Sequence, residues 1–136
     1  MNNDFDIRDG ILYKYTGNSE IVVIPDSVHR IHEKAFRFCN TITSVEVPDS
    51  VTSIEWGAFS FCENLEYIKL PSTLKFIIFS KKPPPLQVGE DVTSVSAFEG
   101  CTKLREIIME DNGNYYVRDN KIISKNDESY VISPSI

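Results

Sequence analysis

The chain has 136 residues, 41% of them hydrophobic and 25% charged, the composition of one globular domain. Fourteen Lys and Arg stand against 20 Asp and Glu, a net charge of −6 that argues against nucleic-acid binding, which needs clustered cations. No apolar run approaches the roughly 18 residues a membrane span needs, so no membrane insertion is expected.

In chain order, the first nine residues carry three Asp and no apolar core, so no signal peptide is expected. Taken as it stands the chain reads as cytoplasmic; as a fragment of a longer exported protein it reads as secreted or cell-surface. Ile7-Arg8-Asp9-Gly10-Ile11-Leu12 predicts a hairpin around an Asp-Gly turn. Residues 1–23 are expected to cap the N-terminal end.

A repeat begins at Ile24 and organises the middle of the chain. Pro25-Asp26-Ser27-Val28 recurs as Pro48-Asp49-Ser50-Val51, and Pro71-Ser72-Thr73-Leu74 comes at the same interval of 23. Ala35-Phe36-Arg37-Phe38-Cys39 recurs as Ala58-Phe59-Ser60-Phe61-Cys62, and later as Ala97-Phe98-Glu99-Gly100-Cys101. Between 25–47 and 48–70, nine of 23 positions are identical. A period this short means that each repeat is one coil, which buries its apolar side only by stacking on neighbours. Each coil ends in alternation, Thr43 to Val47 and then Glu66 to Leu70, the pattern of a short strand with one buried face. The strands are expected to stack in parallel as one narrow sheet. The Ala-Phe pairs are expected on helical turns that stack Phe36, Phe59 and Phe98 into a spine. Val28 with Ile31, and Val51 with Ile54, fill the remaining side.

The repeats therefore divide as 24–47, 48–70 and an interrupted stretch, 71–109. Cys39 to Cys62 is 23 residues but Cys62 to Cys101 is 39, an excess of 16. Leu74-x-x-Ile77-x-Phe79 repeats the spacing of Leu65, Ile68 and Leu70, which predicts an abbreviated coil whose strand comes directly after Pro71. The loop from Ser80 through Pro83-Pro84-Pro85 is next in the chain, and the path of 86–97 is not fixed by the pattern. Val117-Arg118-Asp119-Asn120-Lys121-Ile122 echoes the N-terminal hairpin, so residues 110–136 are expected to form a second hairpin cap. Val131-Ile132-Ser133-Pro134 echoes Val22-Val23-Ile24-Pro25, the entry to the first repeat.

The pattern Ile-Pro-Asp-Ser-Val-x-x-Ile-x-x-x-Ala-Phe-x-x-Cys-x-x-Leu-x-x-Ile-x-Leu resembles the BspA-like bacterial surface class of leucine-rich repeat over roughly residues 20–110. The resemblance implies a right-handed α/β repeat solenoid used for protein binding, often in adhesins, and no catalysis. It transfers no catalytic residue, because the family's motif positions are core positions.

Candidate chemistry is sparse. Cys39, Cys62 and Cys101 share one slot of the coil and read as reduced, buried thiols, since an odd count with no close pair suits neither a disulfide framework nor zinc. His29 and His32 have Thr52 and Glu55 as counterparts one coil on, so a solvated surface is expected there and not a metal site. No phosphate-binding glycine motif is present, and no cofactor is implied. Asp111 with Glu110 and Asp127 with Glu128 read as solvating pairs, Asp119-Asn120 and Asn126-Asp127 as turns, and Pro83 to Pro85 as a rigid loop.

The informative place is the outward face of the strands. With Val45 and Val47 pointing in, Ser44 and Glu46 point out. The same register exposes Tyr67 and Lys69, then Phe76 and Ile78, then Glu106 and Ile108. That face is expected to be polar at the first coil and apolar further on. It admits three readings: a face for an unidentified protein ligand, burial under Tyr115, Tyr116 and Tyr130 of the C-terminal hairpin, or a weak dimer contact. The functional expectation is a non-enzymatic interaction module, monomer or weak dimer. The alternative is a structural spacer within a larger surface protein.

Overall fold

The computed structural model describes residues 4–55, 57–77, 98–110, 112, 115–118 and 121–124. The chain opens with β1 (Phe5–Arg8) and β2 (Ile11–Tyr15), an antiparallel hairpin in which Arg8 faces Ile11. Asp9 and Gly10 turn it with φ of 52° and 78°, the double left-handed geometry that suits the twist of a two-residue hairpin.

From there the chain alternates between two sheets. β3 (Ile21–Val23), β5 (Ser44–Glu46), β7 (Tyr67–Lys69) and β9 (Glu106–Ile108) form one, in that order and all parallel. β4 (Arg30–Ile31), β6 (Ser53–Ile54) and β8 (Phe76–Ile77) continue in parallel from β2 to form the other, a five-stranded sheet with β1 at its edge. The single narrow sheet expected from sequence is thus two. The Val28 and Ile31 side of the coil is itself a strand ladder, Leu12 to Ile31 to Ile54 to Ile77.

The expected helical turns are plain turns, and no helix occurs among the described residues. Two left-handed residues delimit each of these turns: Lys34 (φ 64°) with Phe38 (61°), and one coil on, Gly57 (71°) with Phe61 (59°). A left-handed residue ends a right-handed helix.

Between the sheets lies one core. Its inner residues include Val22, Val45, Ile68 and Ile107 from one sheet, and Leu12, Ile31 and Ile54 from the other. The phenylalanine spine forms as expected, with ring centroids 4.8 Å apart for Phe36 and Phe59 and 5.3 Å for Phe59 and Phe98. It runs further than the repeat pattern indicated, since Tyr15 stacks on Phe36 at 5.3 Å and Phe5 packs on Tyr15 at 5.2 Å with the rings tilted by 45°.

The excess of 16 residues is absorbed within one step of the stack. Phe98 lies directly on Phe59, and β9 pairs directly with β7, although 39 residues separate the corresponding cysteines. The loop of prolines and residues 86–97 lie outside the described residues. Near the end, β10 (Tyr115–Arg118) and β11 (Lys121–Ser124) make the second antiparallel hairpin, with Ile122 fully buried and Val117 packed against the core.

Candidate functional site

Register sets the outward face of the four-stranded sheet. Ile21, Ser44, Tyr67 and Glu106 form one cross-strand row, and Val23, Glu46, Lys69 and Ile108 the next. Between the rows, Val22, Val45, Ile68 and Ile107 turn into the core, because successive side chains on a strand point to opposite faces. Four of the expected site residues, Tyr67, Lys69, Glu106 and Ile108, are therefore brought together. Lys69 Nζ lies 3.9 Å from a Glu46 carboxylate oxygen, and Arg105 Nε donates to Glu66 Oε1 at 3.0 Å. Both pairs are solvent-exposed, where such contacts contribute about 0–1 kcal/mol and chiefly fix side-chain position.

Phe76 does not belong to this face. It lies in β8, in register with Ser53 and Arg30 of the other sheet. The physical reason is that Leu74 and Ile77 come 23 residues after Val51 and Ile54, the full period. Spacings of three occur in both walls of the coil, and the interval from Pro71, not the spacing itself, decides which wall a segment builds. Ile78 and Phe79 lie outside the described residues.

The face also contains residues that the repeat pattern did not single out. Ile21 and Val23 are 69% and 60% exposed, more than Ile108 at 40%. The first coil is polar there as expected, with Ser44 and Glu46, but Ile21 and Val23 make the edge before it apolar, and at the other edge Ile108 stands beside Glu106. The signal was available: Val22 precedes Val45 by the same 23 residues, so Ile21 and Val23 had to face outward. Of the hairpin residues expected to cover this face, Tyr116 is half-buried, and Tyr130 lies outside the described residues.

A groove of about 850 Å³ runs across the far ends of these strands, from Val23 and Asp26 to Ile108 and Glu110. A second hollow, of about 430 Å³, opens at the near ends and is lined by polar residues such as Asn40, Asn64 and Lys103. There Asn64 Nδ2 donates to the Asn40 carbonyl at 2.6 Å, and Lys103 Nζ donates to Asn64 Oδ1 at 3.1 Å.

The cysteines are structural. The Cys62 and Cys101 thiols donate to the carbonyls of Phe36 and Phe59 one coil away, at 3.0 and 3.1 Å. The neighbouring Cys101 thiol, and then burial, push the Cys62 pKa far above its ordinary 9.0. Burial also raises that of half-buried Cys39, against an opposing pull from the Lys14 charge. Native protein should therefore react with a thiol-specific disulfide reagent at Cys39 first. Cys62 and Cys101 should be slowed by roughly a hundredfold or more, opening only with the fold. The pH dependence has a definite sign. Below 9.0 the Cys39 and Cys62 thiols are neutral folded and unfolded; above it the unfolded chain releases protons that the folded chain retains at these two, so stability falls. A Tm that declines above pH 9, less steeply in Cys62→Ala, checks this.

His29 is exposed, its Nδ1 3.3 Å from the Ser50 carbonyl, and His32 packs on Tyr13 with ring centroids 5.0 Å apart. Among the described residues no three His, Cys, Asp or Glu side chains gather as a metal site would require. No described helix is long and apolar enough to cross a membrane.

The parallel ladders, the 23-residue coil and the aromatic spine agree with one family comparison. The BspA type leucine rich repeat region matches residues 6–81, in six copies. The chain belongs to that family. Among solved structures, this BspA-type chain is similar to the T. pallidum leucine rich repeat protein TpLRR. The two share 31% identity with a TM-score of 0.59, over 74% of this chain and 42% of that one. It also matches a leucine rich cell surface protein from Faecalibacterium prausnitzii A2-165, at 24% identity and a TM-score of 0.38, over 76% of this chain and 36% of the other. The chain spans less than half the length of either protein. No curated protein matches it.

Proposed function

We propose that this BspA-type repeat is a non-enzymatic protein-interaction module of a bacterial cell-surface protein. Its coils wind as a right-handed solenoid, closed by the two hairpins, and its partner docks on the outward face of the four-stranded sheet. The observation that carries the reading is the pair of cross-strand rows. They set Tyr67, Lys69, Glu106 and Ile108 side by side, with Ile21 and Val23 continuing the same rows at the edge. Large apolar side chains left in solvent beside an aromatic and charged groups are the usual composition of a recognition patch. An adhesin-like role outside the cell is the setting such a module fits.

The test uses two immobilised baits, wild type and Tyr67→Asp/Ile108→Asp, matched in circular dichroism and melting. Extracts of host matrix and of bacterial lysate are passed over both. A protein retained by wild type and weakened at least tenfold on the variant supports the module and its face. Equal retention moves the site elsewhere, and no retention by either favours a spacer without a ligand of its own.

A further inference from the structure

We propose that the groove at the far ends of β3, β5, β7 and β9 takes an extended, lysine- or arginine-rich segment of the partner protein, an assignment that rests on the interaction module proposed for this chain.

The groove is made by the repeat itself. Pro25, Pro48 and Pro71 each accept a hydrogen bond from the amide three residues on, at 3.1, 3.1 and 3.4 Å, so three like turns stack beside the strand ends. Stacking puts Asp26 and Asp49 at the same place on successive coils, about 4.8 Å apart by the spacing of neighbouring strands. Ile24, Val47, Leu70 and Met109 beneath the groove are buried in the core, so the apolar surface a ligand meets there is that of the exposed Val23 and Ile108, one at each end.

Charge decides the occupant. Four carboxylates line the groove, Asp26, Glu46, Asp49 and Glu110, against the single ammonium of Lys69. Lys69 answers Glu46. Asp26, Asp49 and Glu110 have no ion-pair partner among the described residues. At the near ends of the same strands, Glu66 is by contrast paired with Arg105. Three carboxylates unanswered among the described residues, with the exposed Val23 and Ile108 at the groove's two ends, complement a strand that alternates cationic with small apolar side chains. Crossing four strands takes about 14 Å, or roughly five extended residues.

The probe is a fluorescein-labelled heptapeptide alternating lysine and valine, monitored by fluorescence anisotropy at rising salt. Asp26→Asn/Asp49→Asn/Glu110→Gln is compared with Asp6→Asn/Glu20→Gln/Glu63→Gln, which removes as much charge elsewhere and likewise takes the net charge from −6 to −3. Wild type is expected to bind, more weakly as salt rises. The groove variant should lose at least tenfold and the control less than twofold. Equal losses in the two variants, absence of binding by wild type, or equal binding of a glutamate–valine peptide would each overturn the proposal. Ile108 lines the groove but Tyr67 lies outside it, so a partner lost by Tyr67→Asp alone yet indifferent to the groove variant sinks only the groove.

Discussion

Phe59→Ala is expected to destabilise the protein by about 3–5 kcal/mol, the cost of emptying a fully packed aromatic site. Phe59 has no exposed surface and sits mid-spine, 4.8 Å from Phe36 and 5.3 Å from Phe98. Its two stacking partners come from the coils on either side, so removing it cuts an interface on each side. In a stacked repeat, stability resides in such interfaces more than in the coils. A loss this large is a major share of the roughly 5–15 kcal/mol that holds an ordinary domain together. Beyond the fall in midpoint, chemical unfolding should broaden as the coils before Phe59 uncouple from those after it. Phe5→Ala, at the partly buried end of the spine with Tyr15 on one side only, should cost less than half as much. Equal costs at the two positions would show that burial alone, and not coupling between coils, sets the stability.

The spine was legible because identity of residue type at one slot is an unambiguous signal. Phe36, Phe59 and Phe98 can only stack if the coils do. The alternation from Thr43 to Val47 was equally decisive, since a period of two admits one burial pattern. The wall carrying β4, β6 and β8 was harder to read. Its strands are two residues long, too short for any period to be counted. Val28-x-x-Ile31 therefore read as filler, and Leu74-x-x-Ile77 was assigned to the wrong wall together with Phe76. For β3 the difficulty differed: Ile21 to Ile24 is uniformly apolar, so alternation is masked there and only the 23-residue interval to Val45 reveals which side chains face out. Which carboxylates go unanswered was not legible at all, because it depends on turns from three coils meeting along one edge.

The second slot of the aromatic turn leads to the last expected result. Phe38, Phe61 and Gly100 occupy it in successive coils, all left-handed, with φ of 61°, 59° and 78°. A side chain in that conformation costs about 1–2 kcal/mol, and glycine avoids the cost. The two phenylalanines offset it by stacking, 5.1 Å apart and inclined by 14°, with the Arg37 guanidinium 4.8 Å from the Phe38 ring. The ladder then comes down onto Gly100, where a Cβ would meet Phe61 Cδ1 at 2.4 Å. Gly100→Ala should therefore cost about 2–4 kcal/mol, combining the backbone penalty with displacement of a packed ring. Phe61→Ala alone should cost less, since its ring is only half-buried and only the stack is lost. In the double variant the clash is gone, and only the backbone term adds to the lost stack. The two changes should thus be non-additive, with a coupling of about 1–2 kcal/mol in denaturant midpoints. Strict additivity would mean that the Phe61 ring swings aside without cost, and that the coil closes on Gly100 for its backbone alone.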